Sequence, residues 1–66
     1  GEEKLHRLII FCAENNINQS DLWYYSDSIS DLPVLSYVGN PVCVNPDRKL
    51  RKEALKRGWK ILLWKY

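Results

Sequence analysis

The sequence predicts an α/β fold in which three helices alternate with three parallel strands, and two observations carry that reading. Leu5, Leu8, Ile9 and Cys12 recur at helix spacing, whereas Leu22 to Tyr25, Val42 to Val44 and Ile61 to Trp64 are compact apolar runs of strand length. The order is helix, strand, helix, strand, helix, strand. Strands separated by helices require right-handed crossovers, which make the sheet parallel and lay helices over it.

Each element has its own justification. The first helix runs from about residue 2 to 15, where Asn15-Asn16-Ile17-Asn18 breaks the period. Leu22 to Tyr25 forms the first strand, and Ser26 to Ser30 a loop. Pro33 belongs in the first turn of the next helix, because deeper inside it would remove a hydrogen bond, and Gly39 is a natural terminator. The second helix therefore spans roughly residues 31 to 38. After the strand Val42 to Val44, Asn45 is expected to cap a helix with Pro46 at its first position. Leu50, Ala54 and Leu55 give that helix its inner face, Gly58 stops it, and Ile61 to Trp64 is the third strand.

Length and composition restrict the function classes. Sixty-six residues make one small segment with a marginal core, and three strands is a small sheet for this class, so a missing neighbour strand is expected on physical grounds. Cys12 and Cys43 are expected as buried free thiols, no Cys/His cluster has zinc spacing, and His6 is expected as a solvated helix residue. No secretory signal or membrane-length apolar stretch is present, which places the chain in the cytoplasm and gives Asn18-Gln19-Ser20 no glycosylation role. The start at Gly1-Glu2-Glu3, without a methionine, reads as a processed, tagged or excised segment.

Charge is divided unevenly. After Asp47 there are eight basic residues against one acid, a net +7, while residues 1 to 47 carry two basic residues against seven acids, a net −5. With Trp59, Trp64 and Tyr66 in the basic part, a nucleic-acid surface is a second hypothesis. A solvated basic helix whose neighbouring aromatics pack the sheet is the stronger reading, and nucleic acid is not the expected partner.

The stretch "YYSDSISDLP" puts Asp27 and Asp31 where a strand hands over to a helix. Ligands of open parallel sheets bind outside the carboxyl ends of strands. The ordinary role of such carboxylates is to satisfy free N–H groups at a turn or helix N-terminus. A calcium loop is excluded, because Ile29 stands where an oxygen ligand is needed. A pair of carboxylates does suit Mg²⁺, which takes one or two together with waters and substrate oxygens.

"YYSDSISDLPVLSYVGNPVCVNPDRKLRKEALKRGWKILLW", residues 24 to 64, resembles the C-terminal part of haloacid dehalogenase superfamily phosphatases of the phosphoserine phosphatase-like subgroup. Their fourth motif, (G/S)-D-x-x-x-D at the end of a core strand, is matched by Ser26, Asp27 and Asp31. The resemblance implies a Rossmann-like core, with Asp27 as a direct Mg²⁺ ligand and Asp31 supporting the metal through water or hydrogen bonding. Position 30, often Asn in the phosphoserine phosphatases, is Ser30 here, which leaves the substrate unnamed. Gly1-Glu2-Glu3-Lys4 fits the third motif, so Lys4 would neutralise the phosphoryl group and the nucleophile, binding substrate together with Ser30.

The same resemblance marks what the chain lacks. The first motif, D-x-D-x-T/V, supplies the nucleophilic and acid/base aspartates, and no D-x-D occurs in the 66 residues. A second motif, a Ser or Thr ending another strand, is also absent. The implied parent is a Mg²⁺-dependent phosphomonoester hydrolase working through an aspartyl-phosphate. This chain would be the C-terminal half of its core, inactive alone, with a small phosphorylated substrate and the N-terminal half of the same protein, carrying the nucleophile and the cap, as partners; the alternative is a non-catalytic fragment. In the family the strand resembling residues 22 to 25 pairs with the nucleophile-bearing strand, so self-association through that free edge, or an intramolecular rearrangement covering it, is a further expectation.

Overall fold

A computed structural model of the chain describes residues 2–65, as α1 (Glu2–Glu14), β1 (Trp23–Ser26), α2 (Leu32–Tyr37), β2 (Asn40–Val44), α3 (Arg48–Arg57) and β3 (Lys60–Leu62). The three strands form one parallel sheet in the order β1-β2-β3, as the alternation of elements requires. Two 3₁₀ turns, Gln19–Asp21 and Ile29–Asp31, lie on either side of β1.

Pairing of Ser26 with Cys43, and of Cys43 with Ile61, puts Tyr24, Cys43 and Ile61 on one face of the sheet. That face meets Leu35 of α2 and Leu50 and Ala54 of α3, and these two helices close the core. Leu35, Cys43, Leu50 and Ala54 are fully buried. Helix α1 packs on α2 and buries Cys12, while Ile9, Ile10 and Phe11 stay between 42% and 53% exposed. Both cysteines are buried free thiols, and His6 is exposed on α1. The other sheet face is less well covered than a parallel sheet predicts: Trp23 and Tyr25 remain 59% and 55% exposed.

Two helix boundaries differ from expectation for the same reason. Asn45 does not cap α3. Its backbone is left-handed, φ 43°, and the cap is Asp47, whose Oδ1 accepts from Leu50 N at 2.8 Å, with Pro46 outside the helix. Gly39 does not terminate α2 by a left-handed turn either: Val38, in extended backbone, is the C-cap. Gly39 is there for space, since the backbone of Ser20 passes against it and Gly39 N donates to Gln19 O at 2.9 Å. In both places a contact from a distant segment decides what the residue does. Gly58 behaves as expected, ending α3 at φ 72°.

The basic residues Arg48, Lys49, Arg51, Lys52, Lys56 and Arg57 lie exposed along α3. Glu53 pairs with Lys56 and Arg57, and Arg57 lies 5.0 Å over the ring of Trp59, which itself packs against the core. Tyr66, grouped with these aromatics in the sequence, lies outside the described residues. Among the described residues no helix is long and apolar enough to cross a membrane.

Candidate functional site at the carboxyl end of strand β1

Strand β1 delivers Ser26, buried to 9% exposure, to the carboxyl edge of the sheet, and the chain then turns through Asp27 and Ser28 into the 3₁₀ turn. Ser26 Oγ organises that turn. It accepts from Ser28 N at 3.2 Å and donates to Asp31 Oδ2 at 2.6 Å. The other oxygen of Asp31 accepts from Lys4 Nζ at 2.9 Å, which joins the first turn of α1 to a residue 27 positions later. Asp31 occupies the N-cap of α2 yet makes no capping hydrogen bond, so the ordinary role of such a carboxylate is not the one it plays.

Asp31 is held ionised. The hydrogen bond from Ser26 and then that from Lys4 push its carboxyl below the usual range, and Asp31 in turn, with the Tyr24 phenol, raises the Lys4 ammonium. The pair is one-sided in exposure, 13% for the Asp31 side chain and 56% for Lys4. An ion pair with one partner that open is screened by solvent, so stability is not its main consequence.

The sign of the pH dependence follows. A carboxyl lowered on folding contributes stability that is complete above its ordinary pKa, about 3.9, and is lost as pH falls through the lower folded value. Urea midpoints measured between pH 2 and 6 should therefore fall on the acid side of about pH 4, and less steeply in Asp31→Asn. Equal acid slopes in the two proteins would show that Asp31 does not titrate abnormally.

Asp27 is placed differently. Its side chain is exposed and enters no hydrogen bond or ion pair among the described residues, while its carbonyl accepts from Asp47 N at 2.8 Å. It lines a groove of about 340 Å³ with Tyr25, Ser26, Val44, Asn45 and Trp64, outside the carboxyl ends of the strands. Ser30 is exposed, its hydroxyl 2.8 Å from that of Ser28, and it is not part of the Lys4, Asp31 and Ser26 network. Gly1, the first residue of the third motif, lies outside the described residues.

Two residues to which sequence reasoning gave no role of their own help to build the site. The Ser26 hydroxyl fixes both the turn and Asp31, and its signal was the small polar residue immediately before Asp27. Asp47 Oδ2 accepts from Ile29 N at 2.9 Å, clamping the turn between the two carboxylates to the start of α3. A cap-type residue three positions before the inward-facing Leu50 was the sign of it. These two amides, Leu50 first, lower the Asp47 carboxyl.

The residues suit a share of a Mg²⁺ site. Among the described residues no group of three or more His, Cys, Asp or Glu could hold a metal. What the turn offers is one free carboxylate, Asp27, beside one whose two oxygens are already engaged, Asp31. That division fits a direct ligand and a supporting residue, since Mg²⁺ takes few carboxylates and keeps waters.

Fold and site together define a small parallel α/β unit with an acidic turn at a strand's carboxyl end. No family model matches the chain. It is 47% identical over 62 residues to a probable phosphatase of Mycobacterium tuberculosis, covering 94% of this chain and 22% of that one. It is 43% identical over 67 residues to a histidinol-phosphatase of Neisseria meningitidis (97% and 30%) and 41% identical over 61 residues to a phosphoserine phosphatase of M. tuberculosis (92% and 20%). A crystal structure of a protein of unknown function from Bordetella pertussis Tohama I matches with a TM-score of 0.76 at 34% identity, over 89% of this chain and 28% of that one. The chain thus resembles phosphatases along nearly its entire length, as its motifs implied, and spans 20% to 30% of the length of these relatives.

Proposed function

We propose that this chain is the charge-stabilising part of a phosphomonoester hydrolase of the haloacid dehalogenase type, whose nucleophile lies in the remainder of a longer protein. The observation that carries the reading is the Lys4, Asp31 and Ser26 network beside an unpaired Asp27 at the carboxyl end of β1. Three phosphatase-named relatives, two of them with different printed substrates, support the reaction class and leave the substrate undecided.

In this reading an aspartate from the rest of the protein attacks phosphorus, the ester oxygen leaves with a proton, and water hydrolyses the aspartyl-phosphate. Mg²⁺, when bound, would neutralise charge on the phosphoryl oxygens. Asp27 would be its direct ligand. Asp31 would orient Lys4, whose ammonium would neutralise the transferred charge, and Ser30 would meet the substrate at the rim.

Magnesium binding tests this on the chain itself. Titration with Mg²⁺ should shift the amide resonances around Asp27 and Asp31 and few others, with weak affinity because water fills most of the coordination sphere. Asp27→Asn should abolish the shifts and Asp31→Asn weaken them. Identical titrations in all three proteins would reduce the pair to turn residues.

The free edge of β1 supports a partner proposal. Its four residues, Trp23–Ser26, carry no charge or proline, the usual protections of an edge, whereas β3 at the other edge begins with Lys60. The isolated chain should therefore self-associate through β1 with rising concentration in sedimentation velocity, and Trp23→Lys should suppress this. Association unchanged by Trp23→Lys would place the contact elsewhere.

A further inference from the structure

The groove at the strand ends has features that phosphate and metal chemistry leave unexplained. Its walls include Tyr25 and Trp64, each 55% exposed, and Asp27 lies among its lining residues. Trp64 follows β3, where no ladder holds it, and is fixed by a side-chain clamp instead. Asn45 Nδ2 donates to Trp64 O at 3.0 Å, and Trp64 N donates to Asn45 Oδ1 at 2.9 Å. Asn45 makes this clamp from a left-handed backbone, φ 43°, which disfavours most side chains and which asparagine tolerates. Backbone of this kind persists where surrounding structure enforces it, and it gathers at binding sites. The two hydrogen bonds fix the backbone of Trp64 at the groove, and its ring is left half exposed on the groove wall.

We propose that this groove receives the organic group of the phosphate ester, and that the organic group is a planar ring stacked against Trp64 and Tyr25 with its phosphate toward Asp27. The proposal rests on the phosphatase reading for the phosphate end only. About 340 Å³ lies at the lower end of the size of small-molecule pockets and accommodates one ring. The chemistry is that of such pockets, mostly apolar walls with a few polar groups that orient the ligand. Trp64 is the residue that selects, and Asn45 is a positioning residue that acts through it.

The test is an NMR titration of the 66-residue chain with phenyl phosphate and, separately, glycerol phosphate, both in Mg²⁺, following the Trp64 indole. Stacking should lower the half-saturating concentration of phenyl phosphate about fivefold below that of glycerol phosphate. Trp64→Ala should equalise the two. Asn45→Gly, which keeps the left-handed backbone and loses the clamp, should reduce the difference without altering the Mg²⁺ shifts at Asp27. Equal half-saturation in the unmodified chain, or a preference that survives Trp64→Ala, overturns the proposal. The phosphatase reading fails separately, by loss of the Mg²⁺ response or of activity in the longer protein.

Discussion

Asp27→Asn, made in the full-length protein that carries this segment, should lower kcat by about 10²–10³-fold, the usual effect of losing one preorganised electrostatic partner of the transition state. Lys4→Ala should fall in the same range. Both groups would act on charge that develops during phosphoryl transfer, so kcat should fall more than KM rises. The double variant should lose less than the product of the two effects, because the groups serve one charge. Folding provides the control. The Asp27 side chain is exposed and makes no hydrogen bond among the described residues, so Asp27→Asn should leave the melting temperature unchanged. Steady-state kinetics with circular-dichroism melts separate the two, and a fully active Asp27→Asn protein would remove the carboxylate from the mechanism.

The second large effect is on stability. Gly39→Ala should destabilise the chain by roughly 3 kcal/mol or more, beyond the usual cost of overpacking, because nothing at the site can give way cheaply. A Cβ there would lie 2.5 Å from the carbonyl carbon of Ser20 and closer still to its oxygen, and both are backbone atoms. The segment it would displace is tied down on both sides. Gly39 N donates to Gln19 O at 2.9 Å, and Asn40 Nδ2 donates to Ser20 O at 3.2 Å. At ~0.05–0.15 kcal/mol per residue a chain of this size has only roughly 3–10 kcal/mol in total, so a large share would be lost. Gly58→Ala is the comparison. A methyl group there meets nothing within 4 Å, and the cost is that of a left-handed backbone, about 1–2 kcal/mol. Urea unfolding of both variants checks the order, and equal losses would show that the approach of Ser20 relaxes freely.

Those two glycines show where local pattern is informative. Gly58 is legible because a helix end needs a left-handed residue within its own turn. Gly39 is not, because its reason lies with Ser20, nineteen positions away. The helix period of Leu5, Leu8 and Cys12, the apolar runs and the parallel order were readable for the first reason, since each depends on neighbours in sequence. Asn45 shows the limit. Asn45 and Asp47 are both cap residues by type, and the choice between them is made by the long-range bonds of Asp47 to Ile29 and of Asn45 to Trp64.

The site divides along the same line. Asp27 and Asp31 could be placed at a strand end from local pattern, and the family motif supplied their expected roles. The hydrogen bonds from Ser26 and Lys4 to Asp31 cross 5 and 27 positions, and spacing alone carries no sign of the second. The Ser30 hydroxyl lies beside that of Ser28, outside this network, a pairing of near neighbours in the same turn.

The central claim is that this chain supplies charge stabilisation to a chemistry whose nucleophile is elsewhere. Release of phosphate from an aryl phosphate tests it most directly, measured for the isolated chain and for the full-length protein, each with and without EDTA. No turnover is expected from the isolated chain and EDTA-sensitive turnover from the full-length protein, because Lys4, Asp27 and Asp31 have no covalent intermediate to stabilise without the nucleophile. Robust, chelator-sensitive turnover by the 66-residue chain would contradict it, since the attacking group would then have to lie within these residues.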